Sequence, residues 1–189
     1  MKGALMHDVL IGLAKAAILA ALNQPEDFNL TRALHTYPQL EKKGAVFVTL
    51  TKGKEERLRG CIGSLEAWRP LYKDVIANAQ AAALKDNRFP PLRKEELPQI
   101  KVEVSLLSKP QPLHYTNTED LKQKIKPGID GVILRYNNHR ATYLPQVWEQ
   151  LPEFETFFSS LCKKARLPAD CLKLHPQIDV YHVTKYKEK

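Results

Sequence analysis

Leu58-Arg59-Gly60-Cys61-Ile62-Gly63 packs a thiol, a guanidinium and two glycines into one short stretch. Just upstream, Val46-Phe47-Val48-Thr49-Leu50-Thr51 is β-branched and alternating, and Lys52-Gly53-Lys54-Glu55-Glu56 is a polar turn with a glycine. The pattern predicts a hairpin whose returning strand runs from Arg57 to Leu65. With side chains alternating across the sheet, Leu58 and Ile62 are expected on one face, Arg59 and Cys61 on the other. Arg59 would then stand near the Cys61 sulfur, where a cation favours the thiolate, the nucleophilic and metal-binding form. Gly60 and Gly63 mark a bulge, a bend or a close backbone approach, which would leave amides free to meet an anion. The competing reading is a buried cysteine in a strand whose glycines make room for packing.

Working outward, Pro70 is expected at a first helical position, with Leu71, Val75, Ala79, Ala82 and Ala83 forming the buried face of a helix that reaches about Lys85. It ends in Asp86-Asn87-Arg88-Phe89-Pro90-Pro91, where the double proline forbids continuation and holds Asp86 and Arg88 on an ordered loop. That hexamer is either a functional element or a helix stop with a local ion pair. Ile100 to Ser108 alternates, with Val102, Val104 and Leu106 toward a core and Glu103 and Ser105 on the opposite face. Glu103 is either an edge-strand solubiliser or a member of a polar site.

The remaining pattern is interleaved. An amphipathic helix is expected from about Asp8 to Asn23, closed by Pro25, and a short helical turn near Thr31 to His35. Thr118 is expected to cap a short helix running to Ile125. Val132 to Tyr136 and His139 to Leu144 form a hairpin about Asn137-Asn138, a dipeptide suited to positive φ. Helices are predicted from Pro145 to Gln150 and from Glu153 to Ala165, the latter with Phe154, Phe157, Phe158, Leu161 and Cys162 inward, and one late strand from Ile178 to Tyr186. Short turns between strand pairs favour an α+β domain, mainly antiparallel, over a doubly wound parallel sheet.

The chain has 189 residues, a length suited to one domain with a real core, and a formal net charge of +8. Its basic residues are dispersed along the sequence, including the Lys185-Tyr186-Lys187-Glu188-Lys189 tail, so nucleic-acid binding is a minority reading. No apolar run approaches the roughly 20 residues of a membrane span. Three cysteines without paired spacing suggest free thiols in a reducing cytoplasm. No Cys-x-x-Cys pair, regular histidine spacing, phosphate loop, dinucleotide fingerprint or serine-hydrolase signature is present, so no metal or cofactor is assigned. The enzymatic reading takes Cys61 as nucleophile or thiol ligand, Arg59 as thiolate stabiliser or anion clamp, and Glu103 or a histidine as proton carrier.

The hexamer Leu58 to Gly63, preceded by Phe47-Val48-Thr49-Leu50, is followed in order by Asp86-x-Arg88-Phe89-Pro90-Pro91 and Glu103-Val104-Ser105-Leu106-Leu107-Ser108. Gly128-Ile129-Asp130-Gly131-Val132 and Leu144-Pro145-Gln146-Val147 come next. Together they resemble the AMMECR family, whose prokaryotic members are called AmmeMemoRadiSam system protein A. The resemblance covers about Gly44 to Tyr186. It implies a single AMMECR-type domain over residues 1–189, with a larger lobe holding both termini, a smaller lobe inserted in mid-chain, and the hexamer near a cleft between them. It also implies partnership with a Memo-like protein and a radical S-adenosylmethionine protein. Carried over, the expected site comprises Cys61, Arg59 and Glu103 as catalytic groups, with Gly60, Gly63, Asp86, Arg88 and Ser105 binding a small anionic substrate. The alternative is a non-catalytic partner whose hexamer is a recognition surface. Arg166 stands where relatives commonly have a glycine that ends a helix.

Overall fold

The structure, a computed structural model, describes residues 2–188, with side chains described from Met6 onward. Lys189, the last residue of the expected basic tail, lies outside the described residues. In chain order the helices are α1 (Lys2–Ala21), α2 (Leu30–Thr36), α3 (Leu71–Leu84), α4 (Thr118–Lys124) and α5 (Phe154–Lys164). The strands are β1 (Ala45–Lys52), β2 (Arg57–Gly63), β3 (Ile100–Leu107), β4 (Gln111–Pro112), β5 (Gly131–Tyr136), β6 (His139–Tyr143), β7 (Gln177–Tyr181) and β8 (Val183–Lys187). Short 3-10 turns fill several connections, including Lys94–Gln99 and Pro145–Glu149, the latter where an α-helix is expected from the sequence. The fold is α+β, as the sequence predicts.

The chain forms two compact units, one built from residues up to Leu107 together with Thr184 onward, the other from Ser108 to Val183. In the first unit the sheet order is β2-β1-β3-β8. Alternation sends Val46, Val48 and Leu50 of β1 and Val102 and Val104 of β3 to one face, against Leu10, Ala14 and Ile18 of α1 and Val75, Ala79 and Ala82 of α3. Each such aliphatic side chain contributes about 1.5–3 kcal/mol when fully buried. The odd-numbered residues of β1 and β3 line the opposite face of the sheet. The amino end of α3 is fixed through the fully buried Asp74, which accepts from the Val46 amide, the Ser64 hydroxyl, Arg69 and Asn78. Pro70 is the N-cap of α3 and not its first residue.

In the second unit the sheet order is β4-β7-β5-β6. Phe154, Phe157, Phe158 and Leu161 fall at helical spacing on α5 and join Val132, Leu134 and Ile178 in the core. The Trp148 ring stacks on Phe157 at 3.6 Å. Helix α5 closes with Arg166 in the left-handed region (φ 61°), the Leu167 amide bonding Cys162 O and the Arg166 amide bonding Lys163 O. The helix stop expected of a glycine is therefore made by an arginine. Asn117, not Thr118, caps α4, its side chain accepting from the Asp120 amide.

Two further expectations are corrected. The alternating run from Ile178 to Tyr186 is two strands in different sheets, because the His182 backbone bonds Ser108 through both its carbonyl and its amide and so leaves both ladders. The cysteines are not all free: Cys162 on the inner face of α5 and Cys171 form a disulfide with Cα atoms 5.8 Å apart, leaving Cys61 as the free cysteine among the described residues.

Candidate functional site

Strand β2 is the edge of its sheet and pairs with β1 in antiparallel register, Thr49 opposite Cys61 and Leu50 opposite Gly60. The register then slips: Thr51 faces Leu58, so Arg59 is the extra residue of a bulge. This corrects the expected alternation. Leu58 lies opposite Thr51 and is exposed, whereas Ile62 packs against the core of α1 and α3. Arg59 is buried, and its guanidinium is committed to Glu96, with Nε at 3.0 Å from Oε1 and Nη2 at 3.0 Å from Oε2. Lys52 donates to the same carboxylate. The Arg59 hydrogen bonds, opposed by burial and aided by Lys52 and the Arg93 amide, lower the Glu96 pKa to about 2. Arg59 is thus a structural cation, and its expected role as thiolate stabiliser is not what the geometry provides.

The groups at Cys61 are others. The outward amide of Cys61 donates to Asp86 Oδ2 at 2.8 Å, and its carbonyl accepts from Arg88 Nη2 at 3.3 Å. Asp86 in turn receives Arg88 Nε and Nη2 at 2.9 and 2.7 Å, as well as the Arg88 amide. The Arg88 hydrogen bond, against the opposing cost of burial and with help from the Cys61 and Arg88 amides, holds the Asp86 carboxyl well below the usual carboxylate range. Arg88 is raised in return, chiefly by Asp86. Asp86 and Arg88 therefore occupy the backbone groups of an open sheet edge, as a neighbouring strand would. The proline pair that stops α3 sets this loop in place.

On the face opposite the helices, three in-register rows cross β2, β1 and β3: Gly63, Phe47 and Ser105; Cys61, Thr49 and Glu103; Leu58, Thr51 and Lys101. The Thr49 hydroxyl donates to Cys61 Sγ at 3.2 Å. Glu103 is on the far side of Thr49, two strand spacings or about 10 Å from Cys61, and its Oε1 accepts from the Ser105 hydroxyl at 3.3 Å. The structure thus brings Cys61, Asp86 and Arg88 into contact, sets Glu103 two strands along the same row with Ser105 beside it in the next, and takes Arg59 away to Glu96.

The glycines act by close approach. A Cβ on Gly60 would stand 2.1 Å from the Ala82 carbonyl oxygen of α3, and one on Gly63 would stand 2.2 Å from the Phe47 ring. Packing alone thus requires both glycines, and the amide seen to meet a carboxylate at this edge is that of Cys61. Thr49 and Glu96 escape the sequence reading. Thr49 could be found by pairing the hairpin outward from its turn, but only with the bulge known; no local signal marks Glu96. Among the described residues no group of three or more His, Cys, Asp or Glu side chains is placed to hold a metal ion, and no helix is long and apolar enough to cross a membrane.

Two antiparallel sheets with flanking helices, and a free cysteine clamped at a sheet edge beside Asp-x-Arg-Phe-Pro-Pro, define an α+β protein of the class to which the hexamer pointed. The chain belongs to the AMMECR1 family, whose profile matches residues 11–186. It is 43% identical over 169 residues to a protein of Saccharolobus islandicus, covering 86% of this chain and 72% of that one. Over 186 residues it is 38% identical to a protein of Thermofilum pendens, covering 92% and 84%. The crystal structure of the uncharacterized protein PH0010 from Pyrococcus horikoshii superposes with a TM-score of 0.76 at 34% identity, over 95% of this chain and 90% of that one.

Proposed function

We propose that this protein is an enzyme or enzyme subunit that binds a small anionic substrate beside Cys61, the reactive or ligating thiol, and works in the cytoplasm with a Memo-like protein and a radical S-adenosylmethionine protein. The observation that carries the reading is the holding of Cys61 at three points: amide by Asp86, carbonyl by Arg88, sulfur by the Thr49 hydroxyl. The two backbone bonds close the sheet edge around the residue, and the Thr49 hydroxyl is the contact that reaches the sulfur itself. A hydroxyl donor at sulfur solvates the anion that forms when a thiol attacks or ligates, and backbone clamps on both sides fix its direction. The Arg88 guanidinium, paired with Asp86 but half-exposed and touching the Cys61 carbonyl, is the cation on which the anionic-substrate reading rests. Glu103, in the row of Cys61 two strands away, and Ser105, in the adjoining row, supply a carboxylate and hydroxyl on the same face of the sheet.

The test compares alkylation by iodoacetate and iodoacetamide, folded and unfolded. The expected result is a higher iodoacetate-to-iodoacetamide ratio in the folded protein, reduced in Arg88→Gln. An unchanged ratio contradicts the anionic-substrate reading. A docking role is favoured by one observation, the exposed Leu65 and Trp68 directly after β2, with Arg69 4.6 Å over the indole. If Trp68→Ala abolishes association with the Memo-like or radical protein while iodoacetate selectivity is absent, the docking reading stands instead.

A further inference from the structure

The second unit carries a pocket of about 430 Å³ whose walls include Leu113, His114, Tyr115, His175, Pro176 and Gln177, within the range of about 300–1,000 Å³ common for small-molecule sites. One wall follows β4 and the other enters β7, and the Leu113 amide fastens them by donating to Ile178 O at 2.8 Å. Tyr115 is buried at the base, its hydroxyl donating to Pro176 O at 2.5 Å, and burial raises its pKa to about 12. The phenol is thus a neutral, fixed ring at neutral pH.

His175 lies flat on that ring, with centroids 4.4 Å apart and planes 9° from parallel, although the residue as a whole is exposed. One imidazole face is therefore covered and ordered by Tyr115 while the other remains open. The backbone beneath it is left-handed (φ 54°, ψ 54°), a conformation that costs a non-glycine residue about 1 kcal/mol or more. The position suits glycine or asparagine for the turn alone, yet it carries a ring. Polar groups stand at the edge of this platform. Gln177 is steadied by its amide donating to Asp179. Among the described residues, no hydrogen bond is made by a ring nitrogen of His114 or His175; their contacts are the Lys124 bond to the His114 carbonyl, the His175 amide bond to Leu172 O, and the Tyr115 stack.

We propose that this pocket binds a planar heteroaromatic ring of nucleobase size, stacked on the open face of His175 with its edge hydrogen-bonded by His114 and Gln177. A flat ring is what a preordered, parallel Tyr-His stack matches. A heteroaromatic edge, unlike a hydrocarbon one, supplies partners for the His114 imidazole and the Gln177 carboxamide. The site lies wholly in the second unit and is independent of the Cys61 reading.

The test is a titration of the full chain with adenosine, guanosine, uridine and nicotinamide, with ribose as control, followed by amide and imidazole chemical shifts. Shifts confined to residues 112–115 and 175–178 with at least one ring-bearing probe, and none with ribose, are expected. His175→Gly should weaken that binding about tenfold while the melting temperature holds or rises, because glycine accepts the left-handed backbone. Absence of shifts with all four probes at several millimolar, or equal affinity in His175→Gly, overturns the proposal.

Discussion

The two hairpins of this protein are built from the same strand pattern and come out differently. The β5–β6 hairpin of the second unit runs in unbroken register from Val132 opposite Tyr143 to Tyr136 opposite His139, closed by Asn137 in the left-handed region. The β1–β2 hairpin of the first unit breaks its register at Arg59, lets α3 approach the Gly60 backbone, and fills the open edge at Cys61 with the side chains of Asp86 and Arg88. A hairpin that obeys local rules is fixed by its turn and alternation. One that departs from them is held by distant residues, and here the departures converge on the free thiol.

Substitutions should therefore weigh unequally on the two hairpins. Gly60→Ala should have the largest effect, about 3 kcal/mol in urea unfolding, since the new methyl meets a helix carbonyl that cannot rotate away. Asp86→Ala should cost about 2 kcal/mol, leaving the Cys61 amide and Arg88 without their shared acceptor, and hydrogen exchange at the Cys61 amide should accelerate. If exchange there stays slow, Asp86 is not what closes the edge.

Acid should affect the same hairpin. Asp86 and Glu96 both have lowered pKa values in the fold, so their contribution is complete above the ordinary carboxylate range near 4.5 and is lost on acidification, that of Glu96 as the pH falls towards about 2 and that of Asp86 lower still. Urea midpoints should drop over that interval, and Asp86→Asn with Glu96→Gln should flatten the profile. The smallest expected effect is on the regular hairpin: Asn137→Gly should change stability by no more than about 0.5 kcal/mol, in either direction. A large loss there would break the contrast.

What could be read from the sequence follows the same division. The β5–β6 hairpin, the α3 face and the aromatic face of α5 are legible because each is set by residues within one turn or one alternation. The placement of Arg59 is not, because it depends on Glu96, 37 residues away. The role of Asp86 beside Cys61 needs a contact across 25 residues. Cysteine spacing could not show that α5 turns Cys162 toward Cys171, and alternation through His182 could not show that Ser108 would take both of its backbone groups. Resemblance to the family named the positions Cys61, Asp86 and Arg88, and geometry shows which of them touch.

The central claim is that Cys61 is held for chemistry and not merely packed. The most direct measurement is its iodoacetamide alkylation rate in the folded protein, in wild type and in Thr49→Val, with unfolding midpoints measured alongside. The account predicts that Cys61 reacts without unfolding and that Thr49→Val slows it several-fold, about 1 kcal/mol for one lost hydrogen bond, at a nearly unchanged midpoint. A thiol that stays silent until the protein unfolds, or one indifferent to Thr49, contradicts it.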